Sequence, residues 1–242
     1  MKKITLTLIV TIATFFAITS CNKDDKSLYS VNTMGNMENS QFRCDGGDLY
    51  NIVKTSCTIQ LDTMTRFLGS FKVLNQTSGK TKEYDVELLG YAQPMQKNPI
   101  TLSTSTADEL VDDPINLAQG WISGGYLNML FGITMKYGSA TKHLINLQYN
   151  DAKSGADTLY FSLQHNGFGE IYKTNSANSS QMQYGEEYAT FPIKQYMPAG
   201  KTSVYVTISW TWYDTDGSSL SATGLVKHKD TALFTWPVQS AQ

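Results

Sequence analysis

Ser203-Val204-Tyr205-Val206-Thr207-Ile208-Ser209-Trp210-Thr211-Trp212-Tyr213 alternates without a break. Val204, Val206, Ile208, Trp210 and Trp212 fall on one face, and Tyr205, Thr207, Ser209, Thr211 and Tyr213 on the other. A strict period of two is the mark of a half-buried strand, with the Val, Ile and Trp face inward. Burying those five side chains supplies on the order of 10 kcal/mol before chain entropy is subtracted. The opposite face leaves Tyr205 and Tyr213 as candidates for an exposed aromatic patch.

Working outward, the same kind of segment recurs. Ala232–Pro237, Tyr188–Ile193, Asp157–His165, Lys142–Tyr149 and Trp121–Ile133 all read as strands. Turn residues such as Gly138-Ser139, Asn166-Gly167 and Asp216-Gly217 separate them. Tyr172–Gln183 is polar and reads as a long exposed loop. Seven or so antiparallel strands with spaced turns predict a β-sandwich over 106–242.

Upstream, Gln93–Asp113 collects Pro94, Pro99 and a Ser-Thr run. It reads as a connector, with one helical turn capped by Ser105 or Thr106. Before it, Gln41–Cys44 and Asp48–Val53 flank Asp45-Gly46-Gly47, a hairpin signature. Phe67–Leu74, Tyr84–Tyr91 and a first strand near Tyr29–Thr33 complete a small barrel over 29–105, of which the OB type is one form. The expected fold is therefore all-β: an N-terminal OB-like barrel followed by an antiparallel β-sandwich.

The amino terminus addresses the chain. Lys2 and Lys3 precede the apolar run Ile4–Ile18. That run is shorter than the ~20 residues of a membrane-spanning helix and has the layout of a secretory signal. Ile18-Thr19-Ser20-Cys21 resembles a bacterial lipobox, which makes Cys21 the lipidated residue, 1–20 the removed signal and 21–28 a tether. Two or three acyl chains hold a protein stably on a membrane, so the anchor is the expected membrane partner. Lys23, Asp24 and Asp25, directly behind the cysteine, resemble a surface-export signal of Gram-negative outer-membrane lipoproteins.

Removing Met1–Ser20 takes away two of 19 basic residues and none of the 21 acidic ones, so the net charge moves from -2 to -4. That balance argues against nucleic acid as a partner, since phosphates demand a basic field. With Cys21 lipidated, Cys44 and Cys57 remain. The hairpin partner of Cys44 falls near Asp48, well short of Cys57, so two free thiols fit better than a bridge. No Cys or His spacing suggests zinc, and no metal or cofactor is expected.

No catalytic constellation emerges. His143, His165 and His228 are the only histidines, and each reads as structural or exposed. The chain has no G-x-S-x-G elbow. The adjacent acids Asp112-Asp113 and Glu186-Glu187 point to opposite faces of a strand. Gly124-Gly125 lacks the helix and lysine of a phosphate loop.

Asp112-Asp113-Pro114-Ile115, WISGGYLNMLFG (Trp121–Gly132), HLINL (His143–Leu147) and QHNGFGE (Gln164–Glu170) resemble the NigD-like family of bacterial outer-membrane lipoproteins over roughly the last 130 residues. The resemblance implies an OB-like domain before a β-sandwich. It also implies a bacteriocin-immunity role, which that family carries from gene neighbourhood. The expected function is non-enzymatic: a surface lipoprotein that binds or blocks an extracellular protein, with a carbohydrate-binding accessory as the alternative. A converging histidine and carboxylate in a deep pocket would instead favour a hydrolase.

Overall fold

The computed structural model describes residues 28–59, 65–101, 103, 105–171, 181–213 and 225–235. Cys21, Lys23, Asp24 and Asp25 lie outside them, as do the 214–219 turn and most of the 172–183 loop.

Five strands close a barrel: β1 (Tyr29–Glu38), β2 (Gln41–Cys44), β3 (Leu49–Thr55), β4 (Arg66–Gln76) and β5 (Glu83–Ala92). Their order is β1-β2-β3-β5-β4, with β1 pairing β4 to close the ring and β3 running parallel to β5. That is the five-stranded Greek-key arrangement of an OB-like barrel. Register shifts at Ile52/Lys54, Ser70/Phe71 and Val73/Asn75 bend the strands round the closure. β1 runs five residues further than its sequence suggests. It is polar and alternates poorly, but it pairs with both β2 and β4, so backbone bonding rather than side-chain pattern extends it. Asn39 and Ser40, both at positive φ, then turn it into β2.

Aromatic rings fill the barrel. Phe42 lies 4.5 Å from Phe67 and 4.9 Å from Phe71, and Tyr50 meets Phe71 edge-on at 5.1 Å. Gly69 is required here, because a Cβ at that position would sit 2.2 Å from the buried Phe71 ring. At one end, fully buried Arg66 grips Asp45 of the β2–β3 turn through two bonds of 2.9 and 2.8 Å. Cys44 and Cys57 are free thiols; Cys44 is buried and Cys57 half-buried.

The chain divides after Met95, not between 105 and 106. β6 (Met95–Gln96) and β7 (Ile100–Thr101) are already edge strands of the second unit's sheets. Proline-rich composition suggested a connector there, but the two short strands use backbone bonds that composition does not reveal.

The second unit is a sandwich of two sheets. One is β14-β13-β11-β10-β7 and the other β6-β12-β9-β8. The strands are β8 (Asn116–Ser123), β9 (Tyr126–Lys136), β10 (Leu144–Tyr149), β11 (Thr158–Asn166), β12 (Met182–Pro192), β13 (Ser203–Tyr213) and β14 (Leu225–Thr235). Trp121–Ile133 thus holds two strands, and Gly124-Gly125 is their hairpin turn, with φ +58 and +84. Pairing is mostly antiparallel, but β11 with β13 and β7 with β10 are parallel. The alternation of β13 places Val204, Val206, Ile208, Trp210 and Trp212 in the core. Trp212 meets Tyr184 of the other sheet at 6.2 Å.

Candidate functional site

Three of the four segments singled out in the sequence converge at one end of the sandwich. β11 and β13 pair from Thr158↔Tyr205 to Ser162↔Ser209 and then part. Residues 111–115 enter the fork. The His165 N–H donates to Val111 O at 3.1 Å, the Asp113 N–H to His165 O at 2.9 Å, and the Ile115 N–H to Thr211 O at 2.8 Å.

The 3₁₀ turn Ala107–Leu110 leads into this wedge, and its Glu109 carboxylate accepts the Thr106 N–H at 2.9 Å. The carbonyls at the end of such a turn have no partner within it. Side-chain amides from β10 and β11 supply them. Asn166 Nδ2 donates to Asp108 O at 3.1 Å and Asn146 Nδ2 to Glu109 O at 3.2 Å. The Gln164 amide, with its nitrogen toward the carbonyls, donates to Leu110 O and Val111 O at 3.1 Å each.

Beside the wedge lies a chain of ionisable groups, buried at its histidine end. His165 Nδ1 is 2.8 Å from Pro114 O, and its Nε2 is 3.0 Å from His143 Nδ1. The two rings stack at 5.1 Å. His143 Nε2 faces Glu170 Oε2 at 3.6 Å. Burial drives the His165 imidazolium down to about 4, against the weaker pull of its bond to Pro114. Hydrogen bonds from the hydroxyls of Ser139, first, and Thr141 hold the Glu170 carboxyl below its ordinary value.

These contacts fix the Asn166–Glu170 loop. Gly167 N–H donates to Asp113 Oδ2 at 2.9 Å, and Phe168 N–H to Asn166 Oδ1 at 2.8 Å. Phe168 takes φ +50, a left-handed conformation unfavourable for a bulky side chain, yet it is 49% exposed. Non-glycine residues keep such a conformation only where their surroundings over-determine it. Tyr137, 77% exposed, precedes the Gly138-Ser139 turn that Glu170 ties to the loop.

Chemically, the histidine cluster is closed. His143 and His165 do converge with a carboxylate: both imidazoles are buried side chains, and Glu170 is partly exposed beside them. The neighbouring hydroxyls of Ser139 and Thr141 bind Glu170, not an imidazole. Among the described residues no three His, Cys, Asp or Glu side chains are placed to hold a metal ion.

The expected aromatic pair on β13 does not form. Tyr205 is 50% exposed, but Tyr213 is 5% exposed. The outer face is open at the Tyr205 end and closed at the other, where 111–115 joins Thr211 and Lys227 Nζ reaches Thr211 Oγ1 at 3.3 Å. On the open part, a shallow depression is lined by Asn150, Lys153, Tyr160, Ser162, Ser209 and Lys229. Sequence reasoning missed the roles of Glu170, Ser139 and Thr141. The one available signal was phenylalanine between two glycines just ahead of an acid.

Residues 98–222 match the family model described as the NigD-like C-terminal beta sandwich domain. A solved NigD-like immunity protein from Bacteroides caccae is 16% identical, with 82% of this chain and 91% of that one covered and a TM-score of 0.57. A protein of unknown function from Bacteroides vulgatus is also 16% identical, covering 87% and 92%, with a TM-score of 0.58. A third structure, named as a presumed lipoprotein from Bacteroides fragilis, is 15% identical, covering 84% and 96%, at 0.56. Likeness at such identity establishes the fold alone. No curated protein matches the chain.

Proposed function

The chain belongs to the NigD-like family with its C-terminal β-sandwich domain, and from that premise we propose that it is a lipid-anchored protein of the outer membrane that acts by binding a protein rather than by catalysis. One observation carries the reading. The polar cluster of His143, His165, Asp113 and Glu170 is spent on holding an exposed, strained aromatic loop. Aromatic anchors on a rigid base are what recognition surfaces use. The immunity name of the Bacteroides caccae relative agrees with a protective role. The lipobox at Cys21 and the Lys23-Asp24-Asp25 run support an anchored, surface-displayed form.

Two cell experiments test this. A clickable palmitate should label the wild type and not Cys21→Ala. Protease shaving of intact cells should remove the wild type but spare a variant with Lys23, Asp24 and Asp25 all changed to Ala. Equal labelling, or protection of both forms with the outer membrane intact, overturns the corresponding half of the proposal.

The open depression on the outer face favours a second reading, glycan binding. A tyrosine ring, two serine hydroxyls, an amide and two lysines are the groups that hold a sugar. A glycan array on which Tyr160→Ala abolishes binding and Phe168→Ala does not would select it.

A further inference from the structure

Protons in the buried cluster can be counted from its fixed end. The carbonyl of Pro114 has only lone pairs, so His165 Nδ1, 2.8 Å away, carries a hydrogen. Burial keeps the His165 ring neutral, which makes its Nε2 an acceptor. His143 Nδ1, 3.0 Å away, therefore carries a hydrogen and donates it. His143 Nε2 is then left facing Glu170 Oε2 at 3.6 Å, and both atoms are buried and without a hydrogen-bond partner. A neutral ring opposite an ionised carboxylate would set lone pair against lone pair out of water, an arrangement that costs free energy on both atoms.

The groups around the pair deepen the need for positive charge. Asp113 lies on the connector side, with Oδ2 on the Gly167 N–H. His165 stacks on His143 from β11. Ser139, Thr141 and the Lys136 backbone surround Glu170. Among the described residues, neither carboxylate has a lysine or arginine within ion-pair distance. His143 also packs closely on the loop, 3.4 Å from where a Cβ on Gly167 would stand.

We infer that the closed cluster binds one proton between His143 Nε2 and Glu170 Oε2, and that this proton is the latch holding the Asn166–Glu170 loop, with Phe168 at its tip, onto the 139–143 turn. Whichever atom carries it, the result is one donor facing one acceptor. The latch has two edges. The closed form binds a proton that the open form releases more readily, so its advantage is complete at lower pH and fades as alkali strips the pair. At the acid edge His165 takes a proton on Nε2, and two N–H groups then face each other. Exposure of Phe168 in its fixed conformation is thus confined to a pH window.

The test is NMR on protein with ¹⁵N-labelled imidazoles and ¹³C-labelled carboxyls at about pH 7, with loop amide protection followed to about pH 9.5. His165 should show the neutral Nδ1–H form. His143 should be protonated on both nitrogens, or Glu170 should be a carboxylic acid. Protection factors at Phe168 and Glu170, whose N–H groups bond Asn166 Oδ1 and Gly167 O, should fall at least about tenfold on the alkaline side once corrected for intrinsic exchange. Glu170→Gln brings its own N–H and needs no extra proton, so its loop should stay protected across that range. A singly protonated His143 beside an ionised Glu170 in a protected loop overturns the inference. So does a Gln variant whose protection falls as the wild type's does. If that variant does not fold, the wild-type ring spectrum decides alone.

Discussion

Arg66 offers the sharpest quantitative test of the barrel. Its guanidinium is fully buried and makes two charge-assisted bonds to a buried Asp45, with a third contact of 3.3 Å to Asn36 Oδ1. Replacing Arg66 by Met removes the cation and leaves a carboxylate out of water. Breaking one partner of such a pair costs about 3–5 kcal/mol. A barrel of about 60 residues has roughly 3–9 kcal/mol in total at 0.05–0.15 kcal/mol per residue, so the change consumes much of its margin. Asp45→Asn should cost a similar amount. The double variant should cost less than the two singles combined, because no lone charge remains. All four tryptophans lie beyond residue 120, so their fluorescence reports the sandwich and not the barrel. Hydrogen exchange of the β4 and β5 amides is therefore the assay. A loss below about 1 kcal/mol in Arg66→Met, or full additivity in the double variant, would refute the argument that the pair is desolvated and coupled.

Gly69→Ala forces a Cβ into the fully buried Phe71 ring and should destabilise the barrel by about 1–3 kcal/mol, read by the same exchange. Burial pushes the Cys44 thiol up to about 12, so it should alkylate about a thousandfold more slowly than an exposed thiol near pH 8, by mass spectrometry of folded against unfolded protein. His165 binds its proton less readily folded than unfolded. Its contribution, about 3 kcal/mol, is present above about pH 6.5 and lost as pH falls to about 4; denaturant midpoints of wild type and His165→Asn across that range should diverge accordingly. The Asp112–Lys227 pair, 2.6 Å apart but roughly half exposed on both sides, should contribute under about 1 kcal/mol when Asp112→Ala is unfolded in urea.

The architecture was legible because burial writes itself into alternation. Ser203–Tyr213 forms a strand over the whole stretch read, and Asp45-Gly46-Gly47 turns the hairpin it was expected to turn. What escaped were elements whose place is set by backbone pairing more than by side-chain pattern. β6 and β7 have two residues each and no pattern to read, and the polar second half of β1 is extended by its neighbours. The same physics explains Tyr213. Alternation assigns a residue to a face but cannot say what covers that face. The 111–115 wedge likewise sits in the fork where β11 and β13 part, a place that no period in either strand announces. The histidine cluster needs three segments brought together across about sixty residues of chain, which no local period encodes.

The early start of the sandwich governs how it can be cut. A fragment beginning at residue 106 would lack β6 and β7, which cover the outer edges of β12 and β10. The short stretches they pair, Gln148-Tyr149 on β10 among them, would then offer bare N–H and C=O groups to any passing chain, the template for edge-to-edge aggregation. Cleavage by a protease between 96 and 105 would unmask the same edges, so the chain upstream of the wedge doubles as a cap on the sheets it introduces.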